Sequence, residues 1–164
     1  FRIHPRRHRE AARMTATILR TTSAAAYDLI YPEHLAMLPS MAQESMHRAI
    51  MNSTRVWLGE DEGRVLAVWG LIPPTLMSDT AYLWLYTTKH LEHHSLILVR
   101  HSQRLVQSML DDYPTIVGHG QVGARRSLRW LRWLGAEFGE PQGQFLPFTI
   151  KAKSSWHQDS ARSA

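Results

Sequence analysis

The chain of 164 residues contains no cysteine. That excludes a disulfide framework, a thiolate metal site and a cysteine nucleophile, and it fits a reducing compartment. Long apolar runs are also missing. Stretches such as Val65–Pro74 are too short to span a bilayer, so no membrane segment is expected. Phe1–Arg13 is basic but no apolar stretch follows it, so it does not read as a signal peptide. Nor is there a phosphate-binding glycine loop, a Ser/His/Asp arrangement, an internal repeat or a linker between two domains. Even the basic character is thin outside one place. Of the net charge of +5, all but one unit falls in the first thirteen residues, where Arg2, Arg6, Arg7, Arg9 and Arg13 face Glu10. The body is close to neutral, which argues against a broad nucleic-acid surface.

What remains is ordinary for a folded soluble domain: 44% hydrophobic and 20% charged residues, in a length that suits one domain. We divide the chain into a basic N-terminal arm or upstream extension (1–13), a domain (14–153) and a polar tail (154–164). Thr15–Arg20 reads as a strand, and Ser23 is placed to cap a helix over Ala24–Ile30. After Pro39, apolar spacing at Met41, Met46, Ile50 and Met51 predicts a second helix. Thr54–Gly59 and Arg64–Ile72, joined by Glu60-Asp61-Glu62-Gly63, form a hairpin pattern that Pro73-Pro74 ends. Ala81–Thr87 alternates as a further strand, and a long one-sided helix is predicted over about Leu96–Asp111. Asp112-Tyr113-Pro114 breaks it before a strand at Thr115–His119. In the following helix Leu128, Leu131 and Leu134 form one stripe, Arg125, Arg129 and Arg132 another, and Gly135 stops it. Phe145–Lys151 is the last strand. The order β-α-α-β-β-β-α-β-α-β-β predicts an α/β fold with a mixed sheet.

Two clusters stand out for chemistry. His90, His93 and His94 have a spacing that would bring imidazoles together on a helix, but no carboxylate-bearing metal motif accompanies them, and no metal is expected. Arg125, Arg126, Arg129 and Arg132 with Trp130 and Trp133 form a basic, aromatic segment. It reads as a helix with a solvated arginine side and an interaction surface, with nucleic acid as the alternative. Six tryptophans and seven methionines in so small a domain suggest apolar surface covered by a partner.

The segments RRSLRWLRWLGAEF and GQFLPFTIKAK (125–138 and 143–153), with AVWGLIPPTLMSDTAYLWLYTT (67–88), carry a resemblance to the GNAT family of N-acetyltransferases over residues 14–151. The likeness is closer to the GNAT-like internal virion and acetyltransferase-like proteins of short-tailed bacteriophages. It implies a mixed central sheet of about six to seven strands flanked by three to four helices. In a working member it implies acetyl-CoA held by Leu85, Thr87, Leu91, His93, His94 and Ser95, with Tyr86 or His90 as the proton carriers. The family motif N-x-x-A-x-x-F-Y-x-x-L-G-F aligns with Ala124 through Ala136, so Ala124 stands at the asparagine and Leu131 at the tyrosine that protonates the leaving thiolate. The pyrophosphate turn, of the form Q/R-x-x-G-x-G/A, aligns with Lys89–Ser95, which has no glycine and carries Glu92. These departures favour a structural or assembly protein of a phage head, core or tail. It would be made in the bacterial host cytoplasm, reside in the virion, contact other virion proteins in multiple copies and need no cofactor. The alternatives are an active N-acetyltransferase using acetyl-CoA and, more weakly, a nucleic-acid-binding module acting through the basic arm.

Overall fold

The computed structural model describes residues 16–93 and 95–153; of His93, Ser95 and Ile97 it describes the backbone alone. The expected arm (1–13), the tail (154–164) and His94 lie outside the described residues. The elements are β1 (Thr17–Thr21), α1 (Ser23–Ile30), a single π turn (Tyr31–Leu35), α2 (Ser40–Met51), β2 (Arg55–Asp61), β3 (Arg64–Ile72) and β4 (Thr80–Thr87). There follow a 3-10 turn (Lys89–His93), α3 (Ser95–Asp112), β5 (Thr115–Gln121), α4 (Arg125–Trp133), β6 (Glu137–Phe138) and β7 (Phe145–Lys151). Seven strands form one sheet in the order β1-β2-β3-β4-β5-β7-β6. Only β4 and β5 are parallel, as their connection through α3 requires. No helix among the described residues is long and apolar enough to cross a membrane.

Local chemistry accounts for the boundaries. The cap of α1 is Thr22, whose Oγ1 accepts from the Ala25 amide at 3.2 Å, one residue earlier than the Ser23 expected from sequence. The two residues Glu62 and Gly63 both have positive φ (48° and 77°) and turn the β2–β3 hairpin, as a tight two-residue connection demands. Helix α4 ends on Gly135 at φ 99°, with the Gly135 amide donating to the Arg132 carbonyl and the Ala136 amide to that of Leu131. This paired closure satisfies the last carbonyls and turns the chain straight into β6.

The sheet has an apolar core on each face. Ile30 of α1 and Ile50 of α2 pack against Val56, Leu58, Val68 and Trp84. On the opposite face Trp57, Trp69, Leu71 and Ile116 meet Val106 and Met109 of α3, Leu131 of α4 and Phe148 of β7. Trp57 and Trp69, cross-strand neighbours, stack with ring centroids 6.5 Å apart. The tryptophans of the sheet are therefore core, while Trp133 on α4 is exposed.

Candidate functional site: a cleft between splayed parallel strands

β4 and β5 pair only at Thr80–Thr115, Ala81–Ile116 and Tyr82–Val117. Beyond that they separate. β4 runs on through Leu83–Thr87 held by β3 alone, and β5 runs on to Gln121 held by β7. Glycine permits this opening. A Cβ on Gly118 would lie 2.5 Å from Cζ of Phe148, and one on Gly120 would lie 2.9 Å from Cδ2 of Leu128. The Phe148 ring and α4 can therefore approach the β5 backbone and fill one side of the fork.

The fork encloses a cleft of about 530 Å³, walled by Leu83, Leu85, Leu98, Trp130, Leu131 and Phe145, with Ala124 and Ser127 at the start of α4. Two bonds set its back wall. The Trp130 indole N–H donates to Ser102 Oγ at 3.1 Å, and that hydroxyl donates to the Val99 carbonyl at 2.7 Å. Leu131, at 8% exposure, joins the cleft wall to the core and presents no proton.

The open end is bordered by Thr87, Thr88, Lys89, Leu91, Glu92 and Arg126. Buried Thr88 organises this turn. Its hydroxyl donates to the Val65 carbonyl at 2.6 Å and accepts from the His90 amide at 3.3 Å, while the Leu91 amide donates to the Thr88 carbonyl. The amides of His90 and Leu91 are thus engaged within the chain rather than turned to a ligand.

Of the cofactor residues that the family resemblance implied, Leu85 and Thr87 line the cleft and Leu91 borders its mouth. The side chains of His93 and Ser95, and all of His94, lie outside the described residues. Tyr86 and His90 stand elsewhere, around His34 of the π turn, whose ring centroid is 6.4 Å from Tyr86 and 6.2 Å from His90. Burial lowers the His34 pKa below 6.5; Glu33, 4.0 Å away, opposes the shift, and His90 and Lys89 add to it. Among the described residues, no three His, Asp or Glu side chains are grouped to hold a metal. Arg125, Arg126, Arg129 and Arg132 are exposed and make no ion pair among the described residues; the Arg132 guanidinium lies 5.6 Å from the Phe138 ring centroid. Trp130 turns into the cleft and Trp133 out to solvent.

Sequence reasoning missed one pair. Tyr82 and His119 both line the cleft, with the Tyr82 hydroxyl 3.3 Å from His119 Nδ1 and burial raising the tyrosine pKa above 10.0. Tyr82 is the last β4 residue paired with β5, and His119 lies two residues beyond its partner Val117, a placement that neither strand reveals alone.

The residues fit acetyl-CoA only in part. A narrow amide-bearing arm suits an apolar cleft beside an unpaired strand edge. The anionic end meets a turn without glycine, two amides already engaged, and Glu92 beside Lys89 and Arg126. Ala124 and Leu131 supply neither a hydrogen bond nor a proton. Among the described residues the donors that the resemblance implies are thus present only in part; the side chains of His93 and Ser95, and all of His94, lie outside them.

No protein-family pattern matches the chain, and no curated protein matches it by sequence. Its likeness to solved structures is strong in shape and weak in sequence. An IAA acetyltransferase from Bacillus cereus superposes at a TM-score of 0.59 with 11% identity, over 84% of this chain and 99% of that one. A GNAT-family acetyltransferase from Elizabethkingia anophelis, solved with acetyl-CoA bound, gives 0.59 and 12% over 84% and 99%. A ribosomal-protein-alanine N-acetyltransferase from Brucella melitensis gives 0.58 and 16% over 83% and 99%. At such identities the likeness speaks for architecture alone: the chain has the GNAT fold, a seven-stranded mixed sheet flanked by four helices.

Proposed function

We propose that this chain is a structural or assembly protein of a bacteriophage particle, a head, core or tail component, in which the GNAT cleft serves contact rather than acetyl transfer. The observation that carries this reading is Leu131. It stands where the family resemblance puts the proton-donating tyrosine, and it offers only an apolar, largely buried side chain to the cleft wall. Fold alone does not bring the reaction with it. The engaged turn amides, Ala124 and Glu92 support the same reading; the assignment to a phage particle extends the resemblance drawn from residues 67–88 and 125–153. The expected partners are other virion proteins in multiple copies, met through the exposed arginines and Trp133 of α4. The protein would be made in the host cytoplasm and reside in the virion.

Two measurements test this. Calorimetric titration with acetyl-CoA should show no micromolar binding, and acetyl-CoA should leave the melting temperature unchanged, since a ligand of the native state would raise it. Quantitative mass spectrometry of purified particles should find the chain at fixed stoichiometry. Its absence from particles would defeat the reading.

A second reading, an N-acetyltransferase acting on an amine, is favoured by the Tyr82–His119 pair in the cleft. The Tyr82 hydroxyl, which burial holds in its neutral form, is hydrogen-bonded to the exposed His119 ring, an acid–base arrangement inside the cleft. Transfer of labelled acetyl from acetyl-CoA to amine substrates, abolished by His119→Ala, would establish it in place of the first.

A further inference from the structure

We propose that the fork between β4 and β5 receives an extended polypeptide segment of a partner protein, added as a strand to the free edge of β4 and ending in acidic residues at the cleft mouth. The inference rests on the assembly reading above and names the kind of partner that the cleft would hold.

Main-chain groups provide the first argument. The Thr88 amide donates to the Leu66 carbonyl on β3, so alternation turns the amide and carbonyl groups of Leu85 and Thr87 away from β3, toward the fork. The Leu83 carbonyl oxygen confirms the direction, lying 3.1 Å from where a Cβ on Gly118 would be. No described strand pairs with β4 on that side beyond Tyr82. An unpaired edge of this length is a template for another chain, and strand addition is a common mode of peptide recognition.

The walls provide the second. Leu85 is 44% exposed and Phe145 55% exposed at opposite sides of the opening, and Leu98 and Trp130 form the back. An inserted strand places alternate side chains against that wall, where apolar ones displace water.

Charge provides the third. Lys89 and Arg126 border the mouth, and Arg125 begins the adjoining helix. None of these has an ion-pair partner among the described residues, and Glu92 is the acid at the mouth. Helix α4 has no acidic residue in its first turn and no side-chain cap, so its positive end adds to theirs. A segment leaving the fork on carboxylates would complement this end.

The test is fluorescence anisotropy with the full chain. The probe is a labelled synthetic peptide with leucines alternating with serines and glutamates at one end. Three comparison ligands accompany it: a lysine-ended twin, a fully N-methylated twin lacking amide donors, and a single-stranded oligonucleotide. The expected result is saturable binding of the glutamate probe, weaker by about tenfold or more for both twins and for Lys89→Glu/Arg126→Glu. Those two side chains are exposed, so circular dichroism should show the variant folded. Equal binding of the N-methylated twin, equal or tighter binding of the oligonucleotide, or no binding of the glutamate probe would overturn the proposal. A parallel acetyl-CoA titration keeps the two readings apart. Micromolar acetyl-CoA binding defeats the assembly reading, whereas failure of both ligands defeats the strand-addition proposal and leaves the assembly reading standing.

Discussion

Trp130 on α4 donates its indole N–H to Ser102 on α3 at 3.1 Å, and this one bond fixes the back wall of the cleft. Ser102 is 2% exposed, and because its own proton goes to the Val99 carbonyl its lone pairs are free to accept. The same device recurs on the other face of the sheet. There Trp84 on β4 donates to Ser53 Oγ at 2.7 Å, while Ser53 donates to the Ala49 carbonyl of α2 at 2.6 Å. Each serine ties a tryptophan to a helix. Replacing Ser102 with Ala strands a part-buried indole N–H, a loss of about 1–3 kcal/mol. Urea unfolding of Ser102→Ala should show it. The double variant Ser102→Ala/Trp130→Phe should lose less than the sum of the two single changes; strict additivity would mean that the bond contributes nothing.

A methyl group at position 118 tests the fork itself. The Cβ would sit 2.5 Å from Phe148 Cζ and 3.1 Å from the Leu83 carbonyl oxygen. Phe148 is buried in the core and its ring has little room to retreat. Gly118→Ala should therefore destabilise by about 1–3 kcal/mol through overpacking. Phe148→Leu in the same chain should recover part of that loss in thermal melts. No recovery would place the strain on the Leu83 side of the fork instead.

Much of this architecture is legible in the sequence, because it follows from local periodicity. The stripe Leu128, Leu131 and Leu134 with Gly135 marks α4 and its stop, and Glu60-Asp61-Glu62-Gly63 marks the hairpin, although Glu60 and Asp61 continue β2 and only Glu62 and Gly63 turn it. The site is less legible, because it depends on distances in sequence that no local pattern encodes. Tyr82 and His119 meet only through the parallel register of β4 and β5. His34 carries no local signal in the sequence, yet its burial beside Tyr86 and His90 lowers its pKa. Thr22 rather than Ser23 caps α1, since two adjacent hydroxyl residues compete and the backbone decides between them. Leu85 and Thr87 come from the family resemblance rather than from any local pattern, and both line the cleft.

Thr88 is predicted to hold the turn at the mouth of the cleft. It joins the Val65 carbonyl to the His90 amide through one hydroxyl. Thr88→Val keeps the shape and β-branching but leaves both groups without that partner. A loss of about 1–3 kcal/mol is expected for such a buried site, with faster amide exchange over Lys89–His93 than over β4. Exchange that rises uniformly across β3 and β4 would show that Thr88 supports the sheet rather than the turn.

His34 sets a pH dependence whose sign can be worked out. Its side chain is 11% exposed, and its pKa in the folded chain lies below the ordinary 6.5 because burial disfavours the charged ring. Glu33 on its own turn pulls the other way, while His90 and Lys89 of the turn facing it push further down; the Tyr86 ring faces it from β4. In the unfolded chain the ring takes up its proton at about 6.5, so below that pH the unfolded state binds more protons than the folded state. Stability is then lost as pH falls from 6.5 toward the lower folded value, and no further loss from this group follows below it. Urea unfolding from about pH 7.5 to about pH 5 should show a decline that His34→Phe flattens, whatever that variant does to stability at neutral pH. A decline of the same slope in His34→Phe would assign the acid sensitivity to other histidines of the chain.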